Sequence, residues 1–277
     1  MLKRILVLLG ETSASAAARQ YAFRLARAEH AELAGIAGID LAFIEAPMIG
    51  RIGATAYRMQ MEETLKAQAK DTCARLRDVY EKECKANDLP FEWLDFHGDP
   101  LGALQIAAES SDLLVTGHDT AFRGSIRERL PDMLAKLSWM TPRPLIACGD
   151  EDRGDGDIMI AYDGSLPAMR AVQLFMLLGL WSQHRVHLVT IGADKAAAER
   201  IPVGAERYLR GRGCSVELVS IATRAHPAEV LRIEAADRKV GTLVMGVHGH
   251  RGLRERLFGS TSTQLLQEPP CALFVYH

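Results

Sequence analysis

Two groups of small and hydroxyl-bearing residues in the C-terminal half have the composition of a phosphate-binding site. The first, residues 244–249, is an apolar run that ends in glycines at Gly246 and Gly249. Nine residues separate Gly249 from the second group, residues 259–263, where four hydroxyl residues follow a glycine. Glycine lets the backbone approach a phosphate closely. A helix that starts at the hydroxyl run would add free N–H groups and side-chain donors.

Charged side chains near these groups would complement a nucleotide. His248, His250, Arg251 and Arg254 place positive charge between the two groups. Asp163 follows the first apolar run of this half, where a carboxylate could bind a ribose hydroxyl, a base N–H or Mg²⁺. Ligands of open α/β sheets bind beyond the carboxyl ends of the strands. The alternative is that the glycines only shape a turn and the hydroxyls only cap a helix, but the combination with Asp163 favours a ligand site.

The elements that must position these residues are short strands and the helices between them. Apolar, β-branched runs predict buried parallel strands, and in the C-terminal half they are residues 158–161, 186–191, 243–245 and 272–276. Helical patterns cover residues 170–180, 227–238 and, more briefly, 194–210. In the N-terminal half residues 54–87 predict one long helix with a single apolar face: Met61, Leu65, Ala69, Cys73, Leu76, Tyr80 and Cys84. This alternation predicts a parallel α/β sheet.

The motifs occur in the same order in both halves, which indicates duplication of one unit. KRILVLLG is matched by DIMIAYDG, and GDPLGALQIAAESSDLLVTG by AHPAEVLRIEAADRKVGTLVMG. Asp99-Pro100 and His226-Pro227 hold equivalent places and predict helix starts with a structural role. The repeat predicts two domains, residues 1–149 and 157–277, joined by a Gly- and Asp-rich linker at residues 150–156.

The pattern G-x2-G-x9-G-S, which follows a VMG strand and is paired with an upstream strand ending in DGS, resembles the nucleotide-binding signature of universal stress proteins. Both halves resemble that domain, so the chain resembles a tandem member of the family. The resemblance implies an α/β fold in which each domain has a five-stranded parallel sheet flanked by helices, similar to Rossmann-like and adenine nucleotide alpha hydrolase-like folds.

The same resemblance implies that the C-terminal domain binds ATP, or ADP or AMP, with Mg²⁺ reaching Asp163 through the nucleotide. Ile191 would contribute its main chain, while its side chain belongs to the core. The implied binding residues are Ala161, Tyr162, Asp163, Ile191, Met245, Gly246, His248, Gly249, His250, Arg251, Gly259, Ser260, Thr261 and Ser262.

The N-terminal half departs from this pattern at each polar position. Gly10 stands where the other half has Asp163, and residues 117–120 (GHDT) lack the second glycine. Asp132 and Met133 align with the glycine and serine that begin the second group. A carboxylate at a helix start repels a phosphate, and methionine offers no donor. The first domain is therefore predicted to be degenerate, with a structural or dimer-like role.

Several other classes lack support in the sequence. There is no Walker loop, no G-x-G-x-x-G and no G-x-S-x-G elbow. His248 and His250 could join a metal site, but phosphate contact or solvent exposure fits their place in the glycine motif better. A net charge of −2, from 33 basic and 35 acidic residues, gives no footprint for nucleic acid or an anionic membrane.

The cysteines and apolar runs predict a soluble, cytoplasmic protein. The five cysteines are scattered without a CxxC pair, as expected for free thiols in a reducing compartment. The apolar run at residues 5–9 is too short for a signal peptide, and no stretch approaches the ~20 apolar residues of a membrane span.

Three functional hypotheses follow: a nucleotide-binding regulatory protein, a slow ATP hydrolase or nucleotide-dependent transferase, and a nucleotide-free scaffold. No general base and no arginine finger is identifiable from spacing, which favours regulation over catalysis. Its partners would be an adenine nucleotide and an unidentified protein. Leu145–Cys148 and Ala272–Tyr276 are predicted to pair within the chain, covering both edges. Homodimerisation of whole chains stays open.

Overall fold

The computed structural model describes residues 2–45, 55–120, 134, 137, 141–180, 184–247 and 259–277. Its strands form one ten-stranded sheet. The N-terminal half supplies β1 (Arg4–Leu8), β2 (Glu32–Asp40), β3 (Phe91–Gly98), β4 (Leu113–Gly117) and β5 (Leu145–Cys148). The C-terminal half supplies β6 (Asp157–Ala161), β7 (Val186–Gly192), β8 (Val216–Ala222), β9 (Val240–Gly246) and β10 (Ala272–Tyr276).

Each half arranges its strands in the same order, which confirms the predicted pair of five-stranded parallel sheets. The sheet runs β3-β2-β1-β4-β5-β10-β9-β6-β7-β8, so in each half the first strand lies between the second and the fourth. All pairs within a half are parallel. Because parallel neighbours end at the same edge, the loops after the strands of one half gather there.

The helices fall close to their predicted positions. Those of the N-terminal half are α1 (Ser13–Glu29), α2 (Leu41–Ile44), α3 (Thr55–Ala86) and α4 (Pro100–Glu109). Those of the C-terminal half are α5 (Leu166–Leu178), α6 (Lys195–Arg200), α7 (Val203–Gly211), α8 (Pro227–Asp237) and α9 (Ser260–Gln267). None of these helices combines the length and the apolarity that a bilayer crossing requires.

Two helices differ from prediction for local reasons. The stretch predicted at residues 194–210 is two helices, α6 and α7, because Pro202 cannot donate the N–H that would continue α6. Helix α5 begins earlier than predicted, at Leu166, because the Ser165 side chain accepts a hydrogen bond from Ala168 N (3.2 Å) and Pro167 suits the first turn. Asp99 and His226 cap α4 and α8, as their prolines indicate.

The two halves meet through their last strands, which confirms the predicted intramolecular pairing. β5 and β10 are antiparallel, with Phe274 opposite Ile146 and Leu273 opposite Ala147. The join removes two exposed edges from the centre of the sheet and leaves β3 and β8 as the outer strands.

The hydrophobic core also crosses the join. One cluster on each face of the sheet contains residues of both halves. Phe175 of α5 meets Phe274 of β10 edge-to-face, with ring centroids 5.1 Å apart. The buried Tyr21 hydroxyl of α1 hydrogen-bonds Thr242 Oγ1 of β9 across the join at 2.9 Å. The halves are therefore parts of one packed core.

Candidate functional site

The first group of predicted site residues lies where β6, β7 and β9 end. Ala161 and Met245 are register partners on the neighbouring strands β6 and β9. Tyr162 N donates to Val189 O at 2.9 Å, which continues the pairing of β6 with β7 beyond the last strand residue. The residues that the parallel pairing brings to this edge are Ala161, Tyr162, Asp163, Ile191, Met245 and Gly246.

Asp163 presents its carboxylate in the turn between β6 and α5. The Asp163 Oδ1 atom accepts a hydrogen bond from Ser165 N at 2.9 Å. Gly164 between them has φ +80°, a conformation that favours glycine. Asp163 is exposed, and its Oδ2 atom has no hydrogen-bond partner among the described residues. One oxygen therefore fixes the turn, and the other can accept from a ligand hydroxyl or bind a cation.

The apolar residues next to Asp163 at this edge pack against the hydrophobic core. Ala161 and Ile191 are partly buried and pack against one of the two core clusters. The Tyr162 hydroxyl lies 3.9 Å from Met169 Sδ, and burial, followed by the negative charge of Asp163, raises the pKa of this phenol. Tyr162 thus stays neutral at ordinary pH. This leaves the main chain of β7 and the carboxylate of Asp163 as the polar groups of this side.

Gly246 is required by packing. A Cβ on Gly246 would overlap the backbone of Pro167 and Ala168 at the start of α5, lying 2.6 Å from Ala168 Cα. The equivalent Gly117 is in the same situation, since its Cβ would lie 2.6 Å from Ala14 C at the start of α1. The first motif glycine therefore lets a helix approach the strand end in both halves, and it does not by itself distinguish a nucleotide site.

The start of α9 has no side-chain cap among the described residues, unlike the starts of α1, α4, α5 and α8. Its N-cap is Gly259, with φ −66°; in the described part of the chain it has no side-chain hydrogen bond, and a Cβ there would have no neighbour within 4 Å. Ser260 is exposed, Thr261 is partly buried and Ser262 is buried. Thr12, Asp99, Ser165 and His226 by contrast cap α1, α4, α5 and α8 with their side chains. Within the described ranges the first N–H groups of α9 thus have no side-chain partner and can bind an anion.

His226 belongs to the site, although the sequence pattern indicates only a helix start. Its Nδ1 atom accepts a hydrogen bond from Ala228 N (3.3 Å), so the ring proton lies on Nε2. Nε2 lies 3.2 Å from Ser260 Oγ and can donate to it, which leaves the Ser260 hydroxyl proton for a ligand. The available signal was topological: His226 follows β8, and β8 ends at the same edge as β6, β7 and β9.

The corresponding edge of the N-terminal half is built differently. Gly10 replaces the aspartate, and its N–H donates to Ser15 Oγ at 2.7 Å. A Cβ on Gly10 would lie 3.3 Å from both Ser15 Oγ and Thr120 Cγ2, so neighbouring side chains occupy this space. Asp99, which accepts from Leu101 N and Gly102 N, holds the place of His226. This edge offers a carboxylate where the other half offers an imidazole.

Some of the predicted residues lie outside the described part of the chain. They are His248, Gly249, His250, Arg251 and Arg254 of the C-terminal half and Asp132 and Met133 of the N-terminal half. Their roles remain predictions.

The model of the Universal stress protein family matches residues 156–277, the half that carries this site. This half is a universal stress protein domain. A universal stress protein of Synechocystis sp. strain PCC 6803 is 29% identical over 129 residues, which are 46% of this chain and 44% of that relative. The match thus spans less than half of the relative's length.

Solved structures extend the likeness of fold beyond the universal stress protein domain. A universal stress protein from Archaeoglobus fulgidus DSM 4304 has a TM-score of 0.62 at 16% identity, over 99% of this chain and 97% of that one. A functionally unknown protein from Pseudomonas aeruginosa PAO1 has a TM-score of 0.62 at 15% identity, over 99% of this chain and 92% of that one. The fold of a tandem universal stress protein therefore runs through both halves.

Proposed function

We propose that the C-terminal domain binds an adenine nucleotide, ATP in the first instance, and that occupancy regulates a partner protein in a stress response. The observation that carries this proposal is the uncapped start of α9 at Gly259, with the Ser260 hydroxyl oriented by His226. Phosphates are held by helix N–H groups and hydroxyl donors of this kind. The N-terminal domain has a structural role and takes the place of the second subunit of a dimer.

The other end of the nucleotide would lie against Asp163 and the ends of β6 and β7. A ribose hydroxyl can donate to Asp163 Oδ2, and the partly buried Ile191 offers main-chain groups to the base. The same oxygen fits Mg²⁺, which prefers carboxylate and phosphate oxygens. The proposed site therefore binds phosphate at α9 and nucleoside at β6 and β7.

Regulation is preferred to catalysis because no described side chain is placed as a general base beside the α9 start. His226 already uses both ring nitrogens, one for the α8 cap and one for Ser260. The compartment proposed is the cytoplasm, in keeping with five free cysteines, four of them buried.

The decisive variant is Gly259→Asp, which places the carboxylate of the degenerate half at the start of α9. A Cβ there has no neighbour within 4 Å among the described residues, and aspartate is a favoured N-cap. We expect the melting temperature to be unchanged or higher, while affinity for Mg-ATP falls by roughly tenfold or more through charge repulsion and loss of the free N–H groups. Isothermal titration calorimetry measures the affinity.

Gly211→Asp is the matched control. It makes the same change of charge at the end of α7, which precedes β8 and therefore lies at the opposite edge of the sheet, and a Cβ there also has no close neighbour. Equal ATP affinity of wild type and Gly259→Asp would contradict the proposed phosphate site. Failure of millimolar ATP to raise the melting temperature would favour a nucleotide-free scaffold. Multiple turnovers of ATP that disappear in Asp163→Ala would favour a hydrolase.

A further inference from the structure

We propose that the N-terminal domain binds one divalent transition-metal ion of the Zn²⁺ class, through His118, Asp119 and Asp150. These residues follow β4 and β5, whose parallel pairing places their carboxyl ends side by side. One donor atom from each residue can be chosen so that all three lie within 4.8 Å of one another. The degenerate half would thus hold a cation at the edge where its sister domain is proposed to hold a nucleotide.

The backbone fixes the imidazole between the carboxylates. His118 N donates to Cys148 O at 2.8 Å, which ties the end of β4 to the end of β5. His118 Nε2 lies 3.9 Å from Asp150 Oδ1, too far for a hydrogen bond. Within the described ranges the imidazole has no hydrogen-bond partner, although its side chain is only 19% exposed. His118 Nε2 is thus largely buried and lies near the Asp150 carboxylate without a hydrogen bond to it. An ion between the two groups would explain this geometry.

Both carboxylates are oriented by hydroxyls of the α1 start. Thr12 Oγ1 donates to Asp119 Oδ1 at 2.7 Å, and Ser13 Oγ donates to Asp150 Oδ1 at 2.8 Å. Neither carboxylate has a lysine or arginine within ion-pair distance in the described part of the chain. The nearby Arg24 instead pairs with Asp152 and Asp155. Among the described residues the two carboxylates therefore lack a compensating lysine or arginine, and ligating carboxylates of metal sites are held by hydrogen bonds of this kind.

An independent observation at the same strand end is the Thr120 hydroxyl. Thr120 is 1% exposed, and its Oγ1 atom has no hydrogen-bond partner among the described residues. Its side chain occupies the gap between the ends of β1 and β4, against Gly10 and Gly117. Buried hydroxyls are almost always paired with protein or water. Thr120 directly follows the proposed ligand Asp119, and a water beside the ion is the partner that we propose for its hydroxyl.

The ligand set selects the class of ion. One imidazole nitrogen with two carboxylate oxygens suits Zn²⁺, Co²⁺ or Mn²⁺, whereas Mg²⁺ and Ca²⁺ prefer oxygen ligands alone. Tetrahedral Zn²⁺ with bonds of about 2.0–2.2 Å separates its ligands by roughly 3.4 Å. The 3.9 Å between His118 Nε2 and Asp150 Oδ1 needs only a small contraction to reach this value. Three protein ligands leave the fourth position to water.

The test is metal binding by the full chain after treatment with EDTA and removal of nucleotide. We expect one Zn²⁺ per chain by competition with a chromophoric chelator, and a visible absorption band when Co²⁺ is substituted. His118→Gln and Asp150→Asn should each weaken Zn²⁺ binding by about tenfold or more and remove the Co²⁺ band. Ser13→Ala, which removes an orienting donor but no ligand, should weaken binding by about tenfold.

Two controls separate this site from other histidines. His97→Gln alters an exposed imidazole that lies 3.6 Å from Asp95 Oδ2 but has no third ligand in the described part of the chain, and should leave Zn²⁺ affinity unchanged. The double variant His248→Gln, His250→Gln should also bind one Zn²⁺. Equal affinity of wild type and His118→Gln, loss of Zn²⁺ only in the double variant, or preference for Mg²⁺ over Zn²⁺ would each overturn the proposal. Melting curves of His118→Gln and Asp150→Asn without metal establish that both variants fold.

Discussion

The two halves of the molecule share a sheet order but differ at the edge where their strands end. Both need a glycine at the end of the fourth strand, Gly117 or Gly246, because the start of a helix packs against it. In both halves a side chain also caps the helix that precedes the fourth strand, α4 or α8. At the carboxyl edge, however, the C-terminal half has Asp163 where the other half has Gly10. The positions required by packing are therefore alike in the two halves, while the polar positions at the carboxyl edge, where we propose that the C-terminal half binds its ligand, differ.

The opposite, amino edge of the sheet, where the strands begin, is similar in the two halves because each has salt bridges between side chains there. In the first half Arg4 pairs with Glu32 (3.4 Å) and with Glu92. In the second half Arg238 pairs with Glu217 at 2.7 Å, beside the buried His187. The residue types differ but the device is the same. Both halves thus have ion pairs at the amino edge, whereas only the C-terminal half has a carboxylate at the end of its first strand.

The largest expected effect tests whether the halves are one cooperative unit. Phe274→Ala removes a fully buried ring where β10 meets β5, opposite Ile146 and against Phe175. We expect a loss of about 3–5 kcal/mol of unfolding free energy, since the cavity forms at the centre of a shared core. Chemical denaturation should still give one transition, moved as a whole. Two transitions, of which only one moves, would show that the halves are stable separately.

The next largest effect on stability concerns the glycine that both halves have at the end of the fourth strand. Gly246→Ala and Gly117→Ala each force a Cβ against helix backbone, which cannot move as a side-chain end can. We expect each to cost about 1–3 kcal/mol of unfolding free energy, similar in both halves. Gly259→Ala is the control, because a Cβ there meets none of the described residues within 4 Å, and it should cost less than about 1 kcal/mol, the difference between glycine and alanine as N-cap. A large loss of unfolding free energy for Gly246→Ala with none for Gly117→Ala would show that the two glycines do not have the same packing role.

A smaller effect, on ATP affinity, concerns the residue that caps α8 in one half and α4 in the other. His226→Asp installs the residue that the N-terminal half has in this place, Asp99, which is itself a helix cap. Stability should hardly change, while ATP affinity measured by calorimetry should fall by roughly tenfold, because a carboxylate now faces the α9 start and Ser260 loses its donor. His226→Asn keeps a cap without the charge and should lose less. Equal losses for both variants would mean that charge is not what separates the two edges.

The sequence predicts the strands, the long helix α3 and the pairing of β5 with β10 because these depend on local periodicity and on the repeat. It does not predict the contact of His226 with Ser260, or the group formed by His118, Asp119 and Asp150. These contacts depend on where parallel strands end, and only the strand order brings such residues to one place. Because a parallel sheet brings the ends of neighbouring strands to one edge, the residues just after each strand are the candidates for such contacts.

The smallest effect concerns the amino edge and its dependence on pH. The hydrogen bond from Arg238, at 2.7 Å, lowers the pKa of the Glu217 carboxyl below its ordinary value of 4.5. A carboxylate with a lowered folded pKa stabilises the protein above its unfolded pKa, and this contribution is lost as pH falls through the folded value.

Glu217→Gln should therefore cost less than about 1 kcal/mol of unfolding free energy at pH 7, since the side chain is 43% exposed and solvent screens the pair. The difference from wild type should shrink as pH falls below 4.5. Denaturation at several pH values measures it, with Glu199→Gln in the exposed Lys195 pair (3.6 Å) as control. A difference that grew towards low pH would show that Glu217 is not held as a carboxylate. The salt bridge between Arg238 and Glu217 would then not stabilise the amino edge of this half in the way proposed.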